Sequence, residues 1–136
     1  MASRLNPYIG FDNNARQAME FYQAALGGEL VFNTFGEMGN QDNPDGIMHA
    51  MLETPSGFTL MASDSPPEVQ YTPGANISVS LSGEDEAELR GYWDKLSEGG
   101  QVAVPLEKQM WGDVFGMLID QFGIGWMVNI TAPTEG

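Results

Sequence analysis

The stretch His49-Ala-Met-Leu-Glu-Thr-Pro-Ser-Gly-Phe-Thr-Leu-Met-Ala-Ser63 returns near the end of the chain as Phe115-Gly-Met-Leu-Ile-Asp-Gln-Phe-Gly-Ile-Gly-Trp-Met-Val-Asn129. Each copy has two apolar runs separated by a turn that contains glycine, which is typical of a β-hairpin. A repeated hairpin indicates that the chain is built from two similar halves. The residues that match at an offset of 66 are Met51 with Met117, Leu52 with Leu118, Gly57 with Gly123, and Met61 with Met127.

Both halves share an order of one strand, one helix and three further strands. In the first half, Asp12, Asn13 or Asn14 can cap a helix whose apolar residues recur every three to four positions and which ends at Gly27-Gly28. The expected fold class is α+β, with two βαβββ repeats forming curved half-barrel sheets and the helices outside. The expected boundaries are a single domain over 1–136, repeats at 5–64 and 75–131, and a proline-rich linker at 65–74. The expected strands span 5–11, 29–36, 47–54, 58–63, 77–81, 102–110, 113–119 and 125–131, and the second helix follows Glu84, Asp85 and Glu86.

The composition excludes several classes of site. The chain has no cysteine and a single histidine, His49, so it contains neither a disulfide nor a zinc site with two or more histidines. A net charge of −14 argues against nucleic acid as a partner, because a phosphate backbone needs a basic surface. The same charge either attracts cationic ligands or only keeps the protein in solution. No apolar run approaches the ~20 residues that span a bilayer, so we expect no membrane association and a cytoplasmic location.

Several short motifs resemble the vicinal oxygen chelate superfamily, which has the glyoxalase and bleomycin-resistance fold, and within it the PhnB-like branch. The resemblance extends from Asn6 to about Ile130. Its most specific part is Trp111-Gly112-Asp113 followed by Asp120-Gln-Phe-Gly. The other matching motifs are Pro7-Tyr8 with Phe11, Ala18-Met-Glu-Phe-Tyr22, Gly27-Gly28, Met48-His49-Ala50, Ser63-Asp64, Leu96-Ser-Glu-Gly-Gly100 and Pro105-Leu106.

The resemblance implies where a metal would bind. Metal enzymes of this superfamily take a His or Gln from the first strand of each half and a Glu from a late strand of each half. Carried over, the first-strand positions fall on Leu5, Asn6 or Pro7 and on Asn76, and the late-strand positions fall on Met61 and Met127. Thioethers are poor ligands for hard divalent ions, so we expect no metal and no cofactor. The two methionines either line a flexible apolar ligand cavity or fill the core.

The remaining candidate ligand-binding residues are aromatic or titratable. His49 is expected near the cavity, where it could act as a general base, hydrogen-bond a ligand, or be a satisfied core histidine. Trp111 and Asp113, beside Phe115, suit a planar or cationic ligand at a cavity mouth. Alternatively, they form a hairpin turn in which Asp113 bonds local backbone and Trp111 packs. The candidate ligand-binding residues are Tyr8, His49, Met61, Asn76, Trp111, Asp113, Phe115 and Met127.

The function expected from these observations is metal-free binding of a small molecule, cationic or aromatic, by a homodimer of the glyoxalase and bleomycin-resistance type. The alternative is a lyase, isomerase or dioxygenase of the same superfamily that uses His49 and Asp113. The PhnB-like branch is sometimes labelled a demethylubiquinone methyltransferase. Methyl transfer is not expected, because the chain shows no glycine-rich strand-to-helix loop and no room for a doubly wound nucleotide domain.

Overall fold

The computed structural model describes residues 3, 5–39, 44–65 and 71–132, which form two units, Met1–Pro73 and Gly74–Gly136. The linker expected at 65–74 lies partly outside the described residues, because 66–70 are not among them. In the described part of the chain, no helix is long and apolar enough to cross a membrane.

The first unit is a βαβββ arrangement with one helix against a four-stranded sheet. Its strands lie in the order β1-β4-β3-β2, with β1 parallel to β4 and the other neighbours antiparallel. A short 3-10 turn at Gly36–Met38 follows β2. The elements are β1 (Tyr8–Phe11), α1 (Ala15–Leu26), β2 (Glu29–Thr34), β3 (Ile47–Glu53) and β4 (Thr59–Asp64).

The second unit has the same topology. Its strands lie in the order β5-β8-β7-β6, and β5 runs parallel to β8. The repeat read from the sequence is therefore present in strand order as well as in residue type. The elements are β5 (Ser78–Gly83), α2 (Glu86–Leu96), β6 (Gln101–Lys108), β7 (Val114–Ile119) and β8 (Gly125–Ile130).

Burial alternates along the central strands, because each helix covers one face of its sheet. Ala50 and Leu52 of β3 are buried, whereas His49 and Met51, which alternate with them, are half-buried. The same period of two marks β4, β7 and β8. We call the other side of each sheet, which carries no helix of its own unit, the helix-free face. The helix residues buried against the sheets are Ala15, Ala18, Met19, Tyr22, Ala25 and Leu26 in α1, and Leu89, Tyr92, Trp93 and Leu96 in α2.

Two glycines at equivalent positions allow the chain to pass close to the sheet where it leaves each helix. A Cβ atom at Gly28 would lie 2.1 Å from the carbonyl oxygen of Glu53, and one at Gly100 would lie 2.3 Å from the carbonyl oxygen of Ile119. Both contacts are with backbone, which cannot swing away as a side chain can. Only glycine therefore fits where the chain leaves the helix and passes the end of β3 or β7.

The expected cap of the first helix was wrong. Asn14 occupies the N-cap position, but its side chain forms no capping hydrogen bond. The N–H of Ala15 instead donates to the carboxylate of Asp64, which comes from β4. In the second helix Asp85 does form a local cap, accepting from the N–H of Glu88 at 3.1 Å.

The strand boundaries differ from the expected ones by up to three residues. β1 begins at Tyr8 instead of Leu5, because Pro7 has no N–H and joins the ladder only through its carbonyl, which accepts from the N–H of Met61. β2 ends at Thr34 because the chain turns into the 3-10 segment.

Candidate functional site

The helix-free face of the first unit carries a row of four neighbouring side chains. Cross-strand pairing places Tyr8 beside Met61, Met61 opposite Met51, and Met51 opposite Val31. The two methionines are half-buried, and the outer residues, Tyr8 and Val31, are 54% and 60% exposed. The centre of this face is thus a methionine pair between an aromatic and an aliphatic residue.

The second unit repeats the row. Ser80 lies beside Met127, Met127 opposite Met117, and Met117 opposite Val104. Three of the four positions carry the same residue type as in the first unit. The exception is Ser80, which occupies the place of Tyr8.

His49 lies next to the methionine pair of the first unit. It precedes Met51 by two residues on β3, so both side chains project from the same face. The ring of Tyr8 lies 5.9 Å from the imidazole, centroid to centroid, at an interplanar angle of 44°. The imidazole forms no hydrogen bond with any group in the described part of the chain. A half-buried imidazole of this kind is available to a ligand.

A β-bulge lies directly beside His49 in β3. Asn33 of β2 pairs with His49, but the next residue, Thr34, pairs with Ile47, which leaves Met48 as an extra residue in β3. Bulges of this kind change the direction in which neighbouring side chains point and are frequent beside functional sites. No sequence pattern signalled the bulge.

Phe115 holds the position in the second unit that His49 holds in the first. It precedes Met117 by two residues on β7, and its ring centroid lies 6.5 Å from that of Trp111. The indole of Trp111 is 62% exposed. The structure therefore brings two predicted residues, Trp111 and Phe115, into one aromatic pair.

The carboxylate of Asp113 is engaged on both oxygens. Oδ1 accepts from the N–H of Ala132 at 3.0 Å, and Oδ2 accepts from the side-chain amide of Asn129 at 3.1 Å. These two hydrogen bonds, the backbone one first, hold the pKa of Asp113 below its ordinary value of 3.8. The carbonyl of Asp113 also accepts from the N–H of Gln109 across the turn. Asp113 is thus an ionised group that fastens the β6–β7 turn to the end of β8.

The first-strand residues beside the late-strand methionines are Tyr8 and Ser80. Asn76 is exposed and lies two residues ahead of β5, and Asn6 lies two residues ahead of β1. The sequence identified Tyr8 but missed Ser80, because the starting point of β5, and with it the register against β8, could not be read from the strand pattern.

A hard divalent ion does not fit the residues beside the late-strand methionine of either unit. Met61 in the first unit lies beside the phenol of Tyr8, and Met127 in the second lies beside the hydroxyl of Ser80, and none of these four groups is a carboxylate or an imidazole. Across residues 5–39, 44–65 and 71–132, no three His, Asp or Glu side chains come together in a group that could hold a metal.

A groove of about 520 Å³ lies in the first unit, away from the predicted residues. Its volume falls within the range of small-molecule clefts. It contains neither His49 nor either methionine of the row. It runs between the β3–β4 hairpin and the residues ahead of β1, and its walls are Leu5, Asn6, Glu53, Thr54, Gly57, Phe58 and Thr59.

Comparison with known proteins places the chain in a family. Residues 3–129 match the family model described as 3-demethylubiquinone-9 3-methyltransferase. The crystal structure of protein PA1353 from Pseudomonas aeruginosa is 39% identical, covers 97% of this chain and 100% of its own, and has a TM-score of 0.87.

Two more distant structures share the fold. The PhnB protein of Bacillus cereus is 21% identical with a TM-score of 0.75, covering 95% of this chain and 100% of its own. A glyoxylase/bleomycin resistance protein/dioxygenase domain from Frankia sp. is 12% identical with a TM-score of 0.66, covering 96% and 98%. The α+β class with two βαβββ repeats is therefore confirmed as the glyoxalase and bleomycin-resistance fold, with its open curved sheets.

Proposed function

Because the chain belongs to the 3-demethylubiquinone-9 3-methyltransferase family, the PhnB-like branch of the vicinal oxygen chelate superfamily, we propose that it binds a small organic molecule without a hard divalent metal ion. One observation carries the proposal. Strand pairing puts Met61 beside Tyr8 and Met127 beside Ser80, and the superfamily resemblance implies carboxylates at the two methionine positions in its metal enzymes. A thioether offers such an ion neither charge nor a hard donor.

The helix-free faces suit an organic ligand. Each has an adaptable methionine pair at its centre, and polar groups stand beside it, namely His49 in the first unit and Ser80 in the second. Apolar linings with a few polar groups are typical of small-molecule sites.

A cationic or aromatic ligand fits the second unit best. The Trp111 and Phe115 rings offer faces for stacking, and the Asp113 carboxylate is ionised at neutral pH. The net charge of −14 raises the local concentration of cations around the whole molecule.

The absence of a hard metal is tested on protein purified without a histidine tag. We expect no stoichiometric Mg, Mn, Fe, Ni or Zn, and no thermal shift with micromolar Mg²⁺, Mn²⁺, Fe²⁺, Ni²⁺ or Zn²⁺. A near-stoichiometric content of one of these five metals, or a shift of several degrees that His49→Ala removes, would refute the proposal and favour metal-dependent catalysis.

The organic ligand is sought with a library of cationic and aromatic compounds, observed through the methyl signals of ¹³C-methionine. A ligand of the helix-free faces should move the signals of Met51, Met61, Met117 or Met127 but not that of Met110, which is 98% exposed. For a compound bound in the second unit, Trp111→Ala should weaken affinity about tenfold, whereas Met110→Leu next to it should not. Equal loss in both variants would remove Trp111 from the site.

The second candidate is an enzyme of the superfamily, a lyase, isomerase or dioxygenase, that uses His49 and Asp113. The imidazole of His49 beside Tyr8, which forms no hydrogen bond with the residues that the structure describes, favours it. A turnover that disappears in His49→Ala while the same compound still binds would support catalysis. Binding without turnover across superfamily substrates would leave the binding function in place.

We do not propose methyl transfer, although the family description names it. Each described sheet contains a single parallel pair among antiparallel strands, unlike the parallel sheet of a doubly wound nucleotide-binding domain. We expect no calorimetric binding of S-adenosylmethionine. Micromolar affinity for it would contradict this expectation.

From the superfamily resemblance we also propose a cytoplasmic homodimer. Sedimentation velocity should give the mass of two chains, twice 14.8 kDa. A monomer at micromolar concentration would contradict the dimer.

A further inference from the structure

We propose that His49, Met51 and Met61 form a site for a soft monovalent metal ion, Cu(I), on the helix-free face of the first unit. This inference goes beyond the proposed function and does not rest on the organic ligand. The thioether of Met61, which makes this position unsuitable for a hard ion, is a soft donor. Soft thioether donors favour Cu(I).

Strand pairing brings the three donors together. Met51 and Met61 are directly opposite each other on β3 and β4, where Cβ atoms are typically about 5 Å apart. His49 lies two residues from Met51 on the same face of β3. Two thioethers and one imidazole thus project from neighbouring positions on one face of two adjacent strands, and this three-donor set suits Cu(I).

The donors are free to act. All three side chains are half-buried, so an ion can reach them while the strands hold their backbones in place. The imidazole forms no hydrogen bond within the described residues, so neither nitrogen must first give up a partner there. Methionine has three rotatable bonds, which lets both sulfur atoms adjust to one ion.

The surroundings favour a cation. The aromatic ring of Tyr8 borders the imidazole, and ring faces attract cations. Glu29 and Glu53 pair across β2 and β3, with Glu53 two residues beyond Met51 on the same face. Two carboxylates placed directly opposite each other repel, and a nearby cation relieves that repulsion.

The second unit is a control built into the same chain. It has the equivalent methionine pair, Met117 and Met127, but Phe115 replaces the imidazole and Ser80 replaces Tyr8. If two thioethers alone sufficed, the chain would bind two ions. If the imidazole is required, it binds one.

The test is an anaerobic titration of the tag-free protein with Cu(I) against a chromophoric Cu(I) chelator, repeated with Ag(I) as a redox-stable substitute. We expect one ion per chain and no competition from excess Mg²⁺ or Mn²⁺. With Ag(I), the ¹³C-methyl signals of Met51 and Met61 should move, whereas those of Met38 and Met110, which are 62% and 98% exposed, should not. The site would be refuted if the protein failed to compete with the chelator for Cu(I). It would also be refuted if Ag(I) moved the methyl signals of the exposed methionines as well.

Matched variants separate the site from general thioether binding. Met61→Leu and His49→Phe should each weaken binding by at least about tenfold, while Met127→Leu, the same change in the other unit, leaves it unchanged. Equal loss in Met61→Leu and Met127→Leu would overturn the assignment.

A variant that gains Cu(I) binding tests the site without the objection that a variant which loses binding has misfolded. Phe115→His places an imidazole beside the second methionine pair and should raise the stoichiometry to two ions per chain. A stoichiometry that stays at one would contradict the inference that an imidazole beside a methionine pair defines the site.

Discussion

Asp64, the last residue of β4, accepts a hydrogen bond at 2.9 Å from the backbone N–H of Ala15, the first residue of α1. Its other carboxylate oxygen accepts from the N–H of Ile47 at 2.8 Å, at the start of β3. The side chain is 2% exposed. One buried carboxylate therefore joins the start of the helix to two strands of the sheet.

Asp64→Ala should lower the free energy of unfolding by about 3 kcal/mol, because two buried N–H groups lose a charged acceptor. Urea unfolding of the variant and the wild type measures this. Asp12→Ala, an exposed carboxylate in the preceding loop, is the control and should change stability by less than about 0.5 kcal/mol. Equal effects of the two substitutions would show that the carboxylate of Asp64 does not hold the helix.

Gly100→Ala should destabilise the protein by about 2 kcal/mol or more, because its Cβ would lie 2.3 Å from the carbonyl oxygen of Ile119. Gly10→Ala is the matched control, since a Cβ there meets nothing within 4 Å. Thermal unfolding should show a clear decrease in Tm for the first variant and none for the second. An unchanged Tm in Gly100→Ala would mean that β7 can move away from the helix end.

Gly91→Ala should stabilise the protein by about 0.5–1 kcal/mol, because alanine has the higher helix propensity. Gly91 lies inside α2, and its Cβ would meet nothing within 4 Å. Ala87→Gly, at an exposed position of the same helix, should change stability in the opposite direction. A decrease in Tm for Gly91→Ala would contradict the space that the structure shows there.

Asp113 should make stability depend on pH only in the acid range. Its pKa in the folded protein is lowered by the hydrogen bonds from Ala132 and Asn129. The stabilisation is therefore fully present above the ordinary value of 3.8 and is lost as the pH falls through the lower folded value.

Urea unfolding of the wild type and Asp113→Asn across acid and neutral pH measures this dependence. The wild type should be the more stable at neutral pH, and the difference should shrink below pH 3.8. Asp12→Asn shows the effect of removing one carboxylate elsewhere. If the difference in stability between the wild type and Asp113→Asn persisted unchanged into strong acid, ionisation of Asp113 would not be its cause.

Periodicity predicted much of the fold, because it is a local property. The spacing of apolar residues located α1 at Ala15–Leu26, and the repeat at an offset of 66 located the hairpins that carry both methionine pairs. It also identified Met61 and Met127 as equivalent. The superfamily resemblance implies metal ligands at those two positions, and the thioether side chains then argued against a hard metal there.

The set of side chains at the candidate site depends on the register of strand pairing, and the periodicity of apolar residues does not reveal that register. Regular pairing of Val31 with Met51 and of Asn33 with His49 keeps both β3 side chains on one face, and the bulge at Met48 interrupts this register directly beside His49. The pairing of β5 with β8 selects Ser80, and not Asn76, as the neighbour of Met127. A shift of one residue in either ladder would turn a different set of side chains to that face.

By itself, the sequence determined that the chain has two similar halves, the order of their elements and the equivalence of their methionine pairs. These features follow from residue types a few positions apart. Only the tertiary structure decided that Asp64, and not Asn14, caps the first helix. It also decided that the carboxylate of Asp113 is held by Asn129 and Ala132. In these contacts 16 to 49 residues separate the partners along the chain, and strand pairing brings them within hydrogen-bonding distance.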